Sequence, residues 1–273
     1  MSVKVIDDVV DGARVNSFHL MIVGWCSLLA LFDCYDTVIY GSVLSHLMAD
    51  WKLSAMTAGI IGSSALFGKM ISALSLRSSS DRFGRCRVIL TCIVVSGVAA
   101  FGNGFCENST QFVVCRFFTG VGLGGMVPNI VALVTETSLK RSNTTVSMML
   151  GFFSVGGVIA ALIGKTITPD FGWRANFLIA GLPLLTLPIL FRWLPESIAF
   201  LLTNQRFVEA YRVLRKLSPN YRGGAESLAS MLSRTSVTPT QARTVQIFKG
   251  GRAANTLLIW IAFWDVHADC VWP

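Results

Sequence analysis

Charged side chains are scarce in this chain of 273 residues. Asp, Glu, Lys and Arg make up 14% of it, 53% of the residues are hydrophobic, and the mean hydropathy is +0.61. Soluble globular domains carry about 25% charged residues, so the deficit argues against a water-soluble fold. Several windows reach the roughly 20 apolar residues that a helix needs to cross a bilayer core of about 30 Å. The composition therefore predicts an all-α membrane protein.

The patterns of common soluble enzymes and metal sites are also missing from the sequence. It has no glycine-rich phosphate loop after a strand, no Ser/His/Asp set, and no paired Cys/His ligand spacing. None of the seven cysteines forms a Cys-x-x-Cys pair, and most lie in apolar runs, which indicates buried thiols. Only Cys106 and Cys115 could meet outside the membrane. We therefore expect no enzyme activity, no metal and no cofactor.

Six apolar spans precede a long polar stretch. Their approximate ranges are 19–40, 55–76, 88–106, 112–135, 146–164 and 175–194. The turns after the second and fourth spans are basic, and cytoplasmic loops collect Lys and Arg, so these turns and the N-terminus are expected in the cytoplasm. The net charge of +8 lies in such loops, which predicts the lipid bilayer as a partner and no nucleic acid.

This pattern divides the chain into four segments. They are a cytoplasmic N-terminal segment (1–17), a six-span bundle (18–194), a cytoplasmic loop (195–254), and a partial seventh span with an aberrant tail (255–273). The loop has nine basic and three acidic residues. Its apolar residues between 207 and 217 recur at near-helical spacing, which predicts a basic amphipathic helix on the membrane surface.

Three charged residues within the spans form a candidate site. Asp33 and Asp36 lie three residues apart on one face of the first span, and Arg116 lies at a similar depth in the fourth. A carboxylate in the membrane costs several kcal/mol unless it is paired or hydrated. The three side chains therefore indicate a pathway for protons or substrate, although a hydrated Asp36 or a purely structural ion pair would fit the same pattern. Lys69 is expected to extend to the membrane surface.

Two further sets of residues stand out. A charge network is expected to latch the cytoplasmic ends of the spans together, unless the same charges are simply solvated. Its candidate members are Asp81, Arg85, Glu136 and Arg141, and Arg82 and Gly84 lie in the same candidate switch turn as Asp81 and Arg85. Four glycines after Arg116 leave one face of the fourth span nearly free of side chains, which favours close helix packing. They are Gly120, Gly122, Gly124 and Gly125, and Pro128 beyond them predicts a kink.

With these residues in view, the chain resembles the major facilitator superfamily. Three segments are similar to motifs of that superfamily, namely Asp81-Arg-Phe-Gly-Arg85, the glycine run that begins at Arg116, and Gly172-Trp-Arg174. Three others resemble the aromatic acid:proton symporters, especially transporters of benzoate and hydroxybenzoate. These are Asp33-Cys-Tyr-Asp36, Ser154-Val-Gly-Gly157 and Leu194-Pro-Glu-Ser197. The chain departs from the usual pattern at Arg77 and Cys34, where glycine is typical.

The resemblance implies a six-helix N-terminal half of a major facilitator fold plus a partial seventh helix. It implies proton-coupled transport of an aromatic carboxylate anion across the inner membrane, with Asp33, Asp36 and Arg116 serving the proton and the anion. The Asp81 turn would govern the conformational switch. Members have two six-helix halves with the substrate between them, so this chain alone is expected to be inactive. The alternative is a module that works as a homodimer or with a separately encoded half.

Overall fold

The computed structural model of the chain describes residues 16–137 and 142–218, apart from the side chains of residues 77–79, 81 and 142. These residues form helices and no strand. The helices are α1 (Ser17–Trp51), α2 (Ala55–Phe83), α3 (Arg85–Asn103), α4 (Ser109–Thr137), α5 (Ser142–Phe171), α6 (Trp173–Ala180), α7 (Pro183–Trp193), α8 (Ile198–Thr203) and α9 (Phe207–Leu217). Residues 255–273, where the partial seventh span is expected, lie outside the described ranges, and the predicted segment boundaries stay predictions.

Six stretches of the described helices are long and apolar enough to cross a membrane, which confirms the predicted number. The first is longer than predicted, because α1 continues past Tyr40 to Trp51. It ends where Lys52 adopts a left-handed conformation with a φ of 51°, and its N–H bonds the carbonyl of Met48. Ser54 then caps α2 by accepting a hydrogen bond from the N–H of Thr57.

The sixth span is not one helix, as the sequence suggested, but two. α6 ends at Ala180, and α7 begins at Pro183. Proline has no backbone N–H and cannot continue the hydrogen-bond ladder of a preceding helix, but it is well suited to the first turn of a new one. The turn at Gly181 and Leu182 therefore separates two short helices that together have the length of one span.

α4 lies at the centre of the packing, against α2 and α3. A methyl group added to Gly120 would overlap the backbone of Ala65 in α2, and one added to Gly124 would overlap the backbone of Lys69. Gly122 instead contacts Ser96 in α3. The glycines therefore serve two neighbouring helices, which corrects the expectation of a single bare face. α4 is continuous through Pro128, and the expected kink stays a prediction.

The amphipathic helix predicted after the spans is α9. Its apolar side chains Ala210, Leu214 and Leu217 are buried, and Leu214 and Leu217 join the apolar cluster that includes Ile22 of α1. Asn16 Nδ2 also donates to the carbonyl oxygen of Lys216 at 2.8 Å. The apolar side of α9 is thus covered by the bundle, and the expected place of the helix on the membrane surface stays a prediction.

Candidate functional site

Arg116 and Asp36 form an ion pair in the interior of the bundle. Arg116 Nη1 donates to both carboxylate oxygens of Asp36, at 3.0 and 2.9 Å. The side chains are only 2% and 5% exposed. The guanidinium also lies over the ring of Tyr40, at 5.1 Å from its centroid, and 5.7 Å from that of Phe177. Arg116 is therefore enclosed by one carboxylate and two aromatic rings.

Asp33, one helical turn earlier, has a different partner. Lys69 Nζ donates to Asp33 Oδ1 at 2.8 Å and to Thr37 Oγ1 at 2.7 Å. Thr37 Oγ1 in turn donates to the carbonyl oxygen of Asp33 at 2.9 Å. The expected extension of Lys69 to the membrane surface is therefore wrong. An unpaired carboxylate in an apolar interior is costly, and the ion pair with Lys69 removes that cost for Asp33.

The sequence analysis expected Asp33, Asp36 and Arg116 at a similar depth but left their pairing open. The structure brings Arg116 to Asp36 and not to Asp33, and it adds Lys69 and Thr37, which sequence reasoning did not include in the site. A signal for Lys69 was present, because it is the only charged residue between positions 55 and 76. The functional roles of Asp33, Asp36 and Arg116 stay predictions.

At the other end of the bundle, two members of the expected latch meet. Arg85 at the start of α3 forms an ion pair with Glu136 near the end of α4, and Ser197 Oγ donates to Glu136 Oε2 at 2.6 Å. The side chain of Asp81 and the whole of Arg141 lie outside the described residues. Arg82 places its guanidinium 5.7 Å from the ring centroid of its neighbour Phe83. A switch role for this set stays a prediction.

Glu196 is a member of this region that the sequence analysis named only within the motif Leu194-Pro-Glu-Ser197, without a role. Its Oε1 accepts hydrogen bonds from the backbone N–H of Cys86 at 3.0 Å and from that of Ser197 at 3.1 Å. The first N–H groups of a helix lack partners within it, so Glu196 completes the start of α3. Gly84, with a φ of +99°, leaves room for this carboxylate, since a Cβ there would overlap it.

Cys106 and Cys115 do come together, at the end of the bundle opposite Glu196. Their sulfur atoms lie 3.8 Å apart, and both thiols are free. Burial, together with the neighbouring Cys115, raises the pKa of Cys106 to about 12, so its thiol stays protonated near neutral pH. Within residues 16–137 and 142–218, no group of three or more His, Cys, Asp or Glu side chains could hold a metal ion.

The sequence of the chain is similar to those of known membrane transporters. It is 35% identical over 261 residues to the benzoate transport protein of Acinetobacter baylyi, covering 93% of this chain and 56% of that protein. It is 30% identical over 259 residues to the 4-hydroxybenzoate transporter PcaK of Pseudomonas aeruginosa, covering 93% and 57%. The chain spans a little over half the length of these two relatives.

The fold is similar to solved transporter structures. The inward open xylose transporter XylE from E. coli matches with a TM-score of 0.64 at 24% identity, over 78% of this chain and 55% of that one. A bacterial homologue of the lysosomal transporter Spinster matches with a TM-score of 0.62 at 17% identity, over 67% and 44%. The family model described as Major Facilitator Superfamily matches residues 26–264. This multi-pass membrane chain therefore belongs to the Major Facilitator Superfamily, a family of transporters and not of enzymes.

Proposed function

We propose that the chain forms half of a transporter that moves aromatic carboxylates together with protons. The observation that carries the proposal is the pair of buried ion pairs on α1, Asp36 with Arg116 and Asp33 with Lys69. Ionisable groups inside a membrane are expensive and usually serve ions or substrates. The named relatives, which transport benzoate and 4-hydroxybenzoate, support an aromatic carboxylate as the substrate class.

In this proposal Asp33 and Asp36 couple the movement of protons to the movement of substrate. A proton that reaches one of these carboxylates neutralises it and loosens its ion pair, and Asp33 is the more accessible of the two because its cation is partly exposed. Protonation and substrate binding then affect the same contacts. Alternating access then exposes the site to each side of the membrane in turn. The contacts of Arg85, Glu136 and Glu196 hold the ends of α3, α4 and the segment after α7 together, and opening that end would break them.

The proposed location is the inner membrane, with the N-terminus in the cytoplasm. The support is the distribution of charge. The turn with Arg82, Arg85 and Arg87 and the turn with Lys140 and Arg141 are basic, whereas the loop from Asn103 to Gln111 has Glu107 and no Lys or Arg. Short cytoplasmic loops carry the excess of Lys and Arg. This orientation puts the Glu196 end of the bundle in the cytoplasm and Cys106 outside.

We also propose that these 273 residues do not transport by themselves. They cover 56% to 58% of three transporters of this family, in which the substrate site lies between two six-helix halves. A complementary six-helix bundle would supply the other wall of the site. Crosslinking into a defined dimer in the membrane would favour a second copy of the chain as that bundle.

The test compares uptake of radioactive benzoate into proteoliposomes under an imposed inward proton gradient. One sample holds the chain alone, and the other holds a chimera in which the chain is followed by the unmatched remainder of the Acinetobacter benzoate transport protein. We expect uptake by the chimera only, and we expect a protonophore to abolish it. Uptake by the chain alone would contradict the need for a second half. A folded chimera without uptake would contradict the substrate class.

A further inference from the structure

Lys69 is the more accessible of the two buried cations. Its side chain is 21% exposed, against 2% for Arg116. Arg116 donates from Nη1 to both carboxylate oxygens of Asp36, and its guanidinium is covered by the rings of Tyr40 and Phe177. Lys69 holds only one oxygen of Asp33 and one hydroxyl, that of Thr37. An incoming anion would therefore reach the ammonium of Lys69 more easily than the guanidinium.

We propose that Lys69 binds the carboxylate of the substrate and that Asp33 occupies the same ammonium until a proton neutralises it. This inference rests on the proposed function and names the residue through which proton and anion are coupled. A carboxylate of the substrate can replace that of Asp33 on Lys69 with the same charge and the same hydrogen bond. The net charge of the site is unchanged when the proton and the anion enter together, so no uncompensated charge is buried.

The other groups around this pair leave Lys69 as the available cation. On α1 the titratable neighbours of Asp33 are Cys34, Tyr35 and Asp36, and Asp36 is already paired with Arg116. Arg116 is the only charged residue of α4 between positions 109 and 135, and Lys69 the only one of α2 between 55 and 76. α5 packs against α1 and has no Asp, Glu, Lys, Arg or His between positions 144 and 164.

The exchange also explains why the cation is a lysine. An ammonium is a compact charge on a flexible stem with three rotatable N–H donors, whereas a guanidinium holds a carboxylate in a fixed fork. Lys69 can therefore turn from one carboxylate to another without rearranging the helices. Thr37 keeps its hydrogen bond to Lys69 during the exchange and so holds the ammonium in place.

The experiment measures equilibrium binding of benzoate to the full 273-residue chain in lipid nanodiscs at about pH 5.5 and about pH 7.5. A carboxylic acid with a pKa of about 4 is ionised at both, so a pH effect belongs to the protein. We expect the wild-type chain to bind about tenfold more tightly at the lower pH. Asp33→Asn should bind tightly at both pH values, and Lys69→Gln should lose at least tenfold in affinity at both.

Three controls separate the role of Lys69 from a general effect on folding. Lys165→Gln removes an exposed lysine of α5 and should leave binding unchanged. Lys69→Arg keeps the charge and should restore part of the affinity. Benzamide has the same ring and no carboxylate, so its binding should depend neither on pH nor on Lys69. Every variant is first checked for a single size-exclusion peak and a melting temperature near that of the wild type.

Retained benzoate affinity in Lys69→Gln, or an unchanged pH dependence in Asp33→Asn, would overturn the inference. If the isolated chain binds no benzoate because the other wall of the site is missing, Lys69→Gln is placed in the chimera instead, and undiminished benzoate uptake by that variant would overturn the inference. The uptake assay with the chimera separates this failure from that of the proposed function. If the chimera transports and its Lys69→Gln variant transports equally well, transport stands and the Lys69 inference falls. If the chain binds benzoate through Lys69 and the chimera does not transport it, the Lys69 inference stands and the proposed transport falls.

Discussion

Two ion pairs on α1 lie one helical turn apart, with carboxylates that are almost equally buried but cations that differ in type and in exposure. Asp36 and Arg116 are nearly inaccessible to solvent, and both carboxylate oxygens of Asp36 accept hydrogen bonds from one guanidinium nitrogen, Nη1. Lys69 bonds only one carboxylate oxygen of Asp33 and also bonds the hydroxyl of Thr37. Its side chain is partly exposed. The same acidic residue type can thus serve two tasks, because burial and the type of cation determine how easily a pair opens.

The comparison indicates a fixed pair and an exchangeable pair. A guanidinium is planar and effectively always charged, and it presents several donors to a carboxylate in one orientation. An ammonium is a point charge that can lose a partner and gain another. We therefore expect the Asp36 pair to hold α1 to α4, and the Asp33 pair to respond to protons and ligands.

The largest effect is expected when the fixed pair is broken. Arg116→Met leaves the carboxylate of Asp36 buried without a counter-charge, and breaking a buried pair in this way typically costs about 3–5 kcal/mol. Lys69→Met should cost less than this, because the Lys69 side chain is 21% exposed, so water can reach the place that the ammonium leaves and screen the carboxylate of Asp33. Thermal unfolding of the detergent-solubilised chain measures both. Equal losses would contradict the division into a fixed and an exchangeable pair.

An intermediate effect is expected from the packing that positions Lys69. A methyl group in Gly124→Ala would overlap the backbone of Lys69, and overpacking of this kind costs about 1–3 kcal/mol. Gly41→Ala is the matched control, since nothing lies within 4 Å of a Cβ at that site in α1. We expect a lower melting temperature for Gly124→Ala only. If Gly124→Ala unfolds like the wild type, α2 does not need its close approach to α4.

The smallest loss of stability is expected when the hydroxyl of Thr37, which accepts a hydrogen bond from Lys69, is removed. Thr37→Val removes one hydrogen bond from the ammonium, which is worth about 1 kcal/mol. Thr91→Val is matched to it, because Thr91 Oγ1 also donates to a carbonyl oxygen four residues earlier, at 2.9 Å, and lies on an exposed surface. We expect a loss of stability in Thr37→Val beyond that in Thr91→Val. Equal melting temperatures would mean that Thr37 contributes nothing to the pair.

Hydropathy was enough to find the six spans, because lipid requires an apolar stretch of fixed length. It could not show the break between α6 and α7, since hydropathy averaged over a span hides single residues such as Gly181 and Pro183 that interrupt a helix. Hydropathy also draws attention to Asp33, Asp36 and Arg116, because charged residues stand out within apolar spans.

Their partners could not be read from the sequence. Which cation reaches which carboxylate depends on how α2 and α4 rotate and approach each other, and that is set by contacts such as Gly120 against the backbone of Ala65. The role of Glu196 was missed for another reason. Glu196 follows the last span directly, where a carboxylate is usually solvated, and nothing local shows that the start of α3 lies beside it.

The contact between Glu196 and the N–H of Cys86 also bears on how the bundle is assembled. The two residues are 110 positions apart, and the chain between them contains α3 to α7. Synthesis runs from the N-terminus, so the start of α3 remains without this partner until the last of these helices has been made and inserted. Occupation of that N–H by Glu196 therefore marks the point at which all helices from α3 to α7 have been made, and until then the N–H depends on water as its partner.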